Sequence, residues 1–278
     1  MILKSFSKIN LSLKINKKLK TGLHEIQSHF CLINLFDKIK IEKIKAHKDV
    51  IKFKGYFSKY INSKKNTISD TLSVLRKYNV ITNYYSVTIY KTIPVFAGLG
   101  GGTSNAVCLA KYFTKKKLKK NLLDDLEKKI GSDFRLFLNE QGILKSLKNI
   151  EKLKKKYKFD FLLVYPNIKS STKYAYSKVT KYSPKSRFSF NKIKSKKKFI
   201  NFLIRTNNDL QSIVENKHPI LKELIHDISQ KKGCYFSRLT GSGSVCYGLF
   251  QSKRTARAAQ TKIKSKYSKF WVSVAKTI

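Results

Sequence analysis

The sequence predicts a globular protein of two domains that mix strands and helices. Three observations carry this. At 278 residues the chain is long enough for one large domain or two ordinary ones. Segments with the period-2 pattern of strands alternate along it with segments of helical period. A Lys-rich stretch at 145–158 then separates two halves that each hold their own apolar segments, which sets the boundary near residue 155 and the domains at 1–155 and 156–278. Hydrophobic residues at 41% and aromatics at 12% supply enough apolar surface to offset the ordering entropy despite 27% charged residues.

Taken in order, Ile9, Leu11, Leu13 and Ile15 alternate with Lys8, Asn10, Ser12 and Lys14, the pattern of a half-buried strand with Lys8 and Asn10 on one face. After the turn "LKTGLHE", "FCLINLFDKIKIEKI" reads as one or two strands and "VIKFKGYF" as another. Residues 66–79 carry Ile68, Leu72 and Leu75 at helical spacing behind Asn66, a good N-cap. Tyr85, Val87 and Ile89 form a strand towards Lys91 and Pro94. A glycine loop follows, then a buried helix from about Ser104. "NLLDDLEKKI" is a short amphipathic helix ending at Gly131, with Ser132 able to cap a turn that begins at Asp133. In the second half "FDFLLVYP" is a strand, 183–199 a solvated loop or insertion and "KELIHDISQ" a helix. "CYFSRLTGSGSVCYGLF" reads as two strands joined by a Gly-Ser turn. A basic helix over 252–266 and a strand in "FWVSVAKTI" close the chain.

The formal charge of +44 points first to nucleic acid or an anionic membrane. Fifty-three of the 60 basic residues are lysine, spread along the whole chain among Ile, Asn, Phe and Tyr, all residues with AT-rich codons. Genome composition explains that spread without a functional demand, so no specific nucleic-acid partner is expected. Cys31, Cys108, Cys234 and Cys246 show no CxxC pair and read as reduced core residues. With no apolar run of membrane-spanning length and no apolar signal core, the expected home is the cytoplasm.

The loop "PVFAGLGGGTSNA", residues 94–106, holds four of the chain's twelve glycines beside Thr103 and Ser104. Clustered glycines let backbone N–H groups turn towards an anion, and a helix starting there adds the positive end of its dipole. The alternative is a tight structural turn. No Lys-Ser/Thr pair gives a Walker loop, and Thr103 stands where a Rossmann fingerprint needs its third glycine. His24 and His29 in "GLHEIQSH" are five apart rather than the four of a zinc helix, so no metal ligand is assigned. Asp133, taken by itself, is an ordinary acid in a first helical turn.

This loop resembles the signature loop of the GHMP kinase superfamily. The triple glycine, the hydroxyl pair and Asn-Ala resemble its 4-diphosphocytidyl-2-C-methyl-D-erythritol kinase branch. "SKINLSLKI" followed by "GLHEIQS", "GSDFRLFL" at 131–138, "NNDLQSIVENKHPIL" at 207–221 and "RLTGSGSVCYGLF" at 238–250 resemble that branch in order and spacing. The resemblance implies a two-domain α+β fold, with an N-terminal ribosomal protein S5 domain 2-like half and a C-terminal ferredoxin-like α/β sandwich. It also implies ATP and the acceptor meeting between the domains, and transfer of the γ-phosphoryl group to the 2-hydroxyl of a cytidine diphosphate ester. Isoprenoid precursor synthesis by the methylerythritol phosphate route is the implied setting.

By the same resemblance Asp133 is the base that takes the acceptor's proton. Lys8 holds it ionised and offsets charge on the transferring group. Asn66 and Lys91 lie near adenine, and Pro94, Gly98, Gly100, Gly101, Gly102, Thr103 and Ser104 around the phosphates, with Mg2+ bridging phosphate oxygens. Asn10, His24, Tyr176, Thr240, Gly241, Ser242 and Gly243 bind the acceptor. His24 meets the cytosine edge, Tyr176 or its neighbour Tyr174 stacks on the base, and the second glycine turn lies against the first loop near the diphosphate. Four positions depart from the family pattern: Leu23 for a stacking tyrosine, Phe96 for a glycine, Thr103 for a serine and Arg135 for a proline. Arg135 then faces either phosphate or solvent. The rivals are another GHMP kinase, of the mevalonate or homoserine type, and a basic nucleic-acid-binding protein. A monomer or homodimer is expected.

Overall fold

The computed structural model describes residues 1–63, 65–153, 155–186, 193 and 195–278. In chain order the elements are β1 (Ile2–Asn10), β2 (Lys14–Lys18), β3 (His24–Ile44), β4 (Val50–Lys54), α1 (Thr67–Lys77), β5 (Tyr84–Tyr90), α2 (Gly101–Phe113) and α3 (Lys120–Ile130). A 3-10 helix at Ser132–Leu138 follows, then β6 (Gln141–Ser146), β7 (Asn149–Lys152), β8 (Asp160–Tyr165), α4 (Thr172–Ser177), α5 (Lys196–Ile204), α6 (Gln211–Lys217) and α7 (Ile220–Ser229). β9 (Cys234–Leu239), β10 (Cys246–Phe250), α8 (Lys253–Lys266) and β11 (Trp271–Lys276) complete the chain. The mixed α+β class expected from the sequence holds.

The chain forms two compact units, the first made of Met1–Lys8, Leu35–Val95 and Gly100–Asn139, the second of Ile9–Asn34, Phe96–Leu99 and Glu140–Ile278. In the first unit β5 pairs antiparallel with the end of β3 and parallel with β4, so β4, α1 and β5 make a crossover unit. Ile39 and Ile41 of β3 and Val87 and Ile89 of β5 are fully or nearly fully buried. α1 starts at a complete capping box, with Asn66 Oδ1 accepting from Ile68 and Ser69 N–H, worth about 1 kcal/mol. Its buried Ile68, Leu72 and Leu75 are the helical-period residues read from the sequence, and it packs against α2 and α3.

In the second unit β8 lies between β11 and β10, and β9 pairs with β10, giving a four-stranded antiparallel sheet. Leu162 and Val164 of β8 share a core with Leu221, Leu224 and Ile228 of α7 and Ala256, Ala259 and Ile263 of α8. The opposite parity of β8 is also buried, with Phe161 packed edge-on against Tyr247. Such two-sided burial is why this strand reads as an unbroken apolar run.

Several elements differ from expectation. The alternation over residues 9–15 is not one half-buried strand: β1 ends at Asn10, β2 begins at Lys14, and both parities are buried. Its polar side chains are satisfied inside, Asn10 Nδ2 donating to Ser28 Oγ at 2.7 Å and Ser12 Oγ meeting His29 Nδ1 at 2.5 Å. "FCLINLFDKIKIEKI" belongs to a single strand of 21 residues. The Lys-rich stretch holds the end of β6 and all of β7, which pair as a hairpin, because lysines hide a period-2 pattern in a chain where lysine is everywhere. Much of the loop expected over 183–199 falls on 187–192 and 194, outside the described residues, and Lys196–Phe199 are already in α5 behind the Ser195 cap. α2 begins at Gly101 rather than near Ser104, and Gly131, not Ser132, precedes the 3-10 helix.

Candidate active site

The first unit gathers the expected catalytic pair at the start of α2. Lys8 Nζ lies 3.3 Å from Asp133 Oδ2; the lysine side chain is 4% exposed and the carboxylate 40%. Gly100 has φ +67° and is the N-cap of α2. A Cβ built there would lie 2.6 Å from the Phe137 ring and 3.5 Å from Lys8 Cε, so only glycine lets the loop pass this close to the pair. Ser104 N–H donates to Gly100 O, which leaves the N–H groups of Gly101, Gly102 and Thr103 without an acceptor inside the helix. With the helix dipole behind them, these amides make an anion cradle beside a carboxylate and an ammonium.

The other expected nucleotide residues have more structural surroundings. Ser104 Oγ is buried, 2.7 Å from Ser5 Oγ and donating to Phe6 O at 2.5 Å. Asn66 is engaged as the cap of α1, and Thr67 Oγ1 donates to Gly102 O at 3.0 Å, tying the start of α1 to the start of α2. Pro94 is buried. Lys91, 3% exposed, forms an ion pair with Asp37, which is wholly buried. Asp37 also accepts from Thr92 N–H at 2.8 Å, Ile93 N–H at 3.0 Å and Asn105 Nδ2 at 3.2 Å. Sequence reasoning missed Asp37. Its signal was a lone acid inside the apolar run "NLFDKIKI", in a chain with only 16 acids.

Arg135 does not simply point to solvent: its side chain, 18% exposed, pairs with Glu127 at 2.7 Å and Asp124 at 2.5 Å, both from α3. A guanidinium that close to two carboxylates is drawn to them before any ligand arrives.

In the second unit the front of the glycine loop meets the second glycine turn. Gly98 has φ +79°, and a Cβ there would fall 2.2 Å from Thr240 O and 3.1 Å from Gly243 N. Asn10 N–H donates to Thr240 Oγ1 at 3.0 Å, and its Oδ1 lies 3.1 Å from the Cβ position of Gly241. Ser242 O accepts from Ser170 Oγ at 2.5 Å, and Ser242 Oγ is 2.8 Å from Thr172 Oγ1. A cavity of about 580 Å³ is lined here by Phe96, Gly98, Lys169, Thr172 and Gly243, with Ser170 and Ser171.

His24 and Tyr176 come together, ring centroids 5.2 Å apart, and Tyr182 stacks on His24 from 6.4 Å. Burial first and the charge of Lys18 second hold the His24 imidazole below its ordinary pKa, so the neutral ring offers one donor and one acceptor. Tyr174 instead lies under the Lys217 ammonium at 3.7 Å. Leu23 is 51% exposed. Tyr182, which sequence reasoning did not single out, is 46% exposed beside His24. Its only sequence signal was one aromatic among many. Among the described residues no three His, Cys, Asp or Glu gather as a metal site, and no helix is long and apolar enough to cross a membrane.

Residues 66–134 match the GHMP kinases N terminal domain and residues 194–269 the GHMP kinases C terminal family. The 4-diphosphocytidyl-2-C-methyl-D-erythritol kinase of Pelagibacter ubique (strain HTCC1062) is 38% identical over 281 residues, covering 99% of this chain and 98% of that one. Among solved structures, a 4-(cytidine 5'-diphospho)-2C-methyl-D-erythritol kinase superposes with a TM-score of 0.76 at 21% identity, with 99% of each chain covered. The homoserine kinase from Cytophaga hutchinsonii gives 0.69 at 14% identity, covering all of this chain and 94% of that one. The two structures share the α+β fold, and the full-length identity separates the branches: this chain belongs to the 4-diphosphocytidyl-2-C-methyl-D-erythritol kinase family of the GHMP kinases.

Proposed function

We propose that the protein transfers the γ-phosphoryl group of ATP to the 2-hydroxyl of 4-diphosphocytidyl-2-C-methyl-D-erythritol, giving the 2-phosphate and ADP in the methylerythritol phosphate route. The observation that carries this reading is the Lys8–Asp133 pair at 3.3 Å, beside the glycine that opens α2. Asp133 accepts the hydroxyl proton as that oxygen bonds to the γ-phosphorus. The bond from phosphorus to the β,γ-bridging oxygen breaks, and ADP leaves with that electron pair. Lys8 orients the carboxylate and offsets charge on the group in flight. The amides of Gly101, Gly102 and Thr103 hold the phosphate chain.

His24 and Tyr176 recognise the cytosine, and Asn10 with residues 240–243 the rest of the acceptor. Mg2+ would accompany the phosphates of the nucleotide. When bound it neutralises phosphate charge. The family matches fall on either side of residue 155, as domains at 1–155 and 156–278 would require, although the compact units interleave in sequence, with Ile9–Asn34, Phe96–Leu99 and Glu140–Ile278 in the second. We take the enzyme to be cytoplasmic, a monomer or homodimer that keeps its four thiols unpaired.

The test is ATP turnover by wild type and Asp133→Asn with the cytidylyl ester, homoserine and mevalonate as acceptors. We expect turnover of the ester alone and a loss of about 10²- to 10⁴-fold in kcat for the variant. Undiminished activity would remove Asp133 from its role. Turnover of another acceptor in place of the ester would reassign the substrate.

A further inference from the structure

Phe96 is the one non-glycine residue of the glycine loop in the left-handed region, at φ +56°. A bulky aromatic is a rare occupant of that region, since its Cβ crowds the following carbonyl. Core packing does not account for it, because the side chain is 55% exposed. Nor can the backbone relax. Phe96 O accepts from Ser170 N–H at 3.2 Å, Ala97 O from Val245 N–H at 3.1 Å, and Gly98 is pressed against Thr240. Strain of this kind persists only where the surroundings over-determine it, and it clusters at ligand sites. The fold displays this ring at a cost.

The ring is displayed at the rim of the cavity of about 580 Å³ that Gly98, Lys169, Ser171, Thr172 and Gly243 also line, all within the second unit. One cationic chain, three hydroxyl residues and two glycine backbones suit a phosphate chain, and the ring adds the only large apolar surface among the lining residues. Ser170 and Thr172, hydrogen-bonded to Ser242, tie this wall to the second glycine turn. A diphosphate reaches this protein from two sources, ATP and the acceptor. The cavity takes Phe96 and Gly98 from the lead of the first glycine loop, Gly243 from the second glycine turn and the rest from the 169–172 segment; none of its lining belongs to the first turn of α2, which favours the acceptor.

We infer that Phe96 is a specificity-determining residue for the acceptor, its ring packing as the apolar wall over the group esterified to the diphosphate. The inference rests on the reading of the protein as a kinase of a cytidine diphosphate ester. The test compares wild type with Phe96→Gly, which relieves the strain and removes the ring, and Phe96→Leu, which removes the ring alone. We expect the KM for the acceptor to rise about tenfold in both variants, or 1.4 kcal/mol. The KM for ATP stays within twofold, and Phe96→Gly melts about 2 °C above wild type as the strain is released. An unchanged acceptor KM in Phe96→Gly, a rise in the ATP KM instead, or a lower melting temperature in that variant would each overturn it. Should wild type fail to phosphorylate the ester, the kinase reading falls and melting still decides the inference. Protection of wild type but not of Phe96→Gly by the cytidylyl ester supports the ring as a ligand wall, and equal protection of both refutes it.

Discussion

Replacing Asp37 by Asn tests how the glycine loop is held. In the folded chain the carboxylate collects four donors, Lys91 and Asn105 on Oδ2 and the Thr92 and Ile93 amides on Oδ1. It thereby ties β3, the lead into the glycine loop and the first turns of α2 together. Asparagine keeps the shape and the two amide bonds but turns an NH₂ towards an ammonium that is 2% exposed on its side chain. A buried charge stripped of its partner costs about 3–5 kcal/mol, a large part of a total stability on the order of 5–15 kcal/mol. Lys91 Nζ lies 3.3 Å from the Cβ position of Gly101, so the same change loosens the amide cradle and raises the KM for ATP. The assay is urea unfolding followed by circular dichroism, with Lys91→Met and the double variant completing a cycle. The double variant, with no buried charge left, is expected to recover at least about 2 kcal/mol relative to the sum of the single changes. A loss under about 1 kcal/mol in Asp37→Asn, or strict additivity in the cycle, would refute the knot as the loop's anchor.

Three further outcomes follow from the same geometry. The buried His29 imidazole is held down to about 3 by burial first and the Lys14 charge second, against 6.5 in the unfolded chain. The stability it contributes is whole above pH 6.5 and drains away as the pH falls towards 3, with about 2 kcal/mol gone at pH 5; His29→Gln should flatten the stability profile between pH 7 and 5, and an unchanged slope would contradict the assignment. Gly98→Ala places a methyl 2.2 Å from Thr240 O at a φ of +79° and should cost about 1–3 kcal/mol in thermal unfolding while raising the acceptor KM; a neutral effect on both would contradict the close approach. Arg135→Ala, by contrast, removes a peripheral pair of ion contacts and should cost about 1 kcal/mol or less with an unchanged KM for ATP; a large rise in that KM would return Arg135 to the phosphates.

The legible parts of the fold were those whose physics is local. Asn66 announced α1 because a cap and its helix lie within four residues. The start of α2 was read three residues late because three consecutive glycines argue against a helix by propensity, and the cradle uses them inside one. Asp37 and Arg135 were illegible for the opposite reason. Asp37 chooses partners 54 to 68 residues away, and nothing in "NLFDKIKI" distinguishes a buried acid from an exposed one. Arg135 was expected to face phosphate or solvent, and its pairing with Asp124 and Glu127, eleven and eight residues earlier, was not read. In a chain with sixteen acids among sixty basic residues, the placement of acids carries most of the site's information. The lysine excess carries almost none.

The same contrast bears on how the glycine loop keeps its shape. If flexibility were what the glycines supplied, a phenylalanine at φ +56° would be the first residue to spring out of place. It does not, because the loop's neighbours impose the conformation: the Phe137 ring and Lys8 press on Gly100, the Thr240 carbonyl presses on Gly98, and the Ser170 and Val245 amides hold the carbonyls of Phe96 and Ala97. The glycines supply room rather than motion. A loop fixed from outside would meet a phosphate with amides already aimed, which is the condition under which hydrogen bonds to a developing charge need no reorganisation when a phosphoryl group moves.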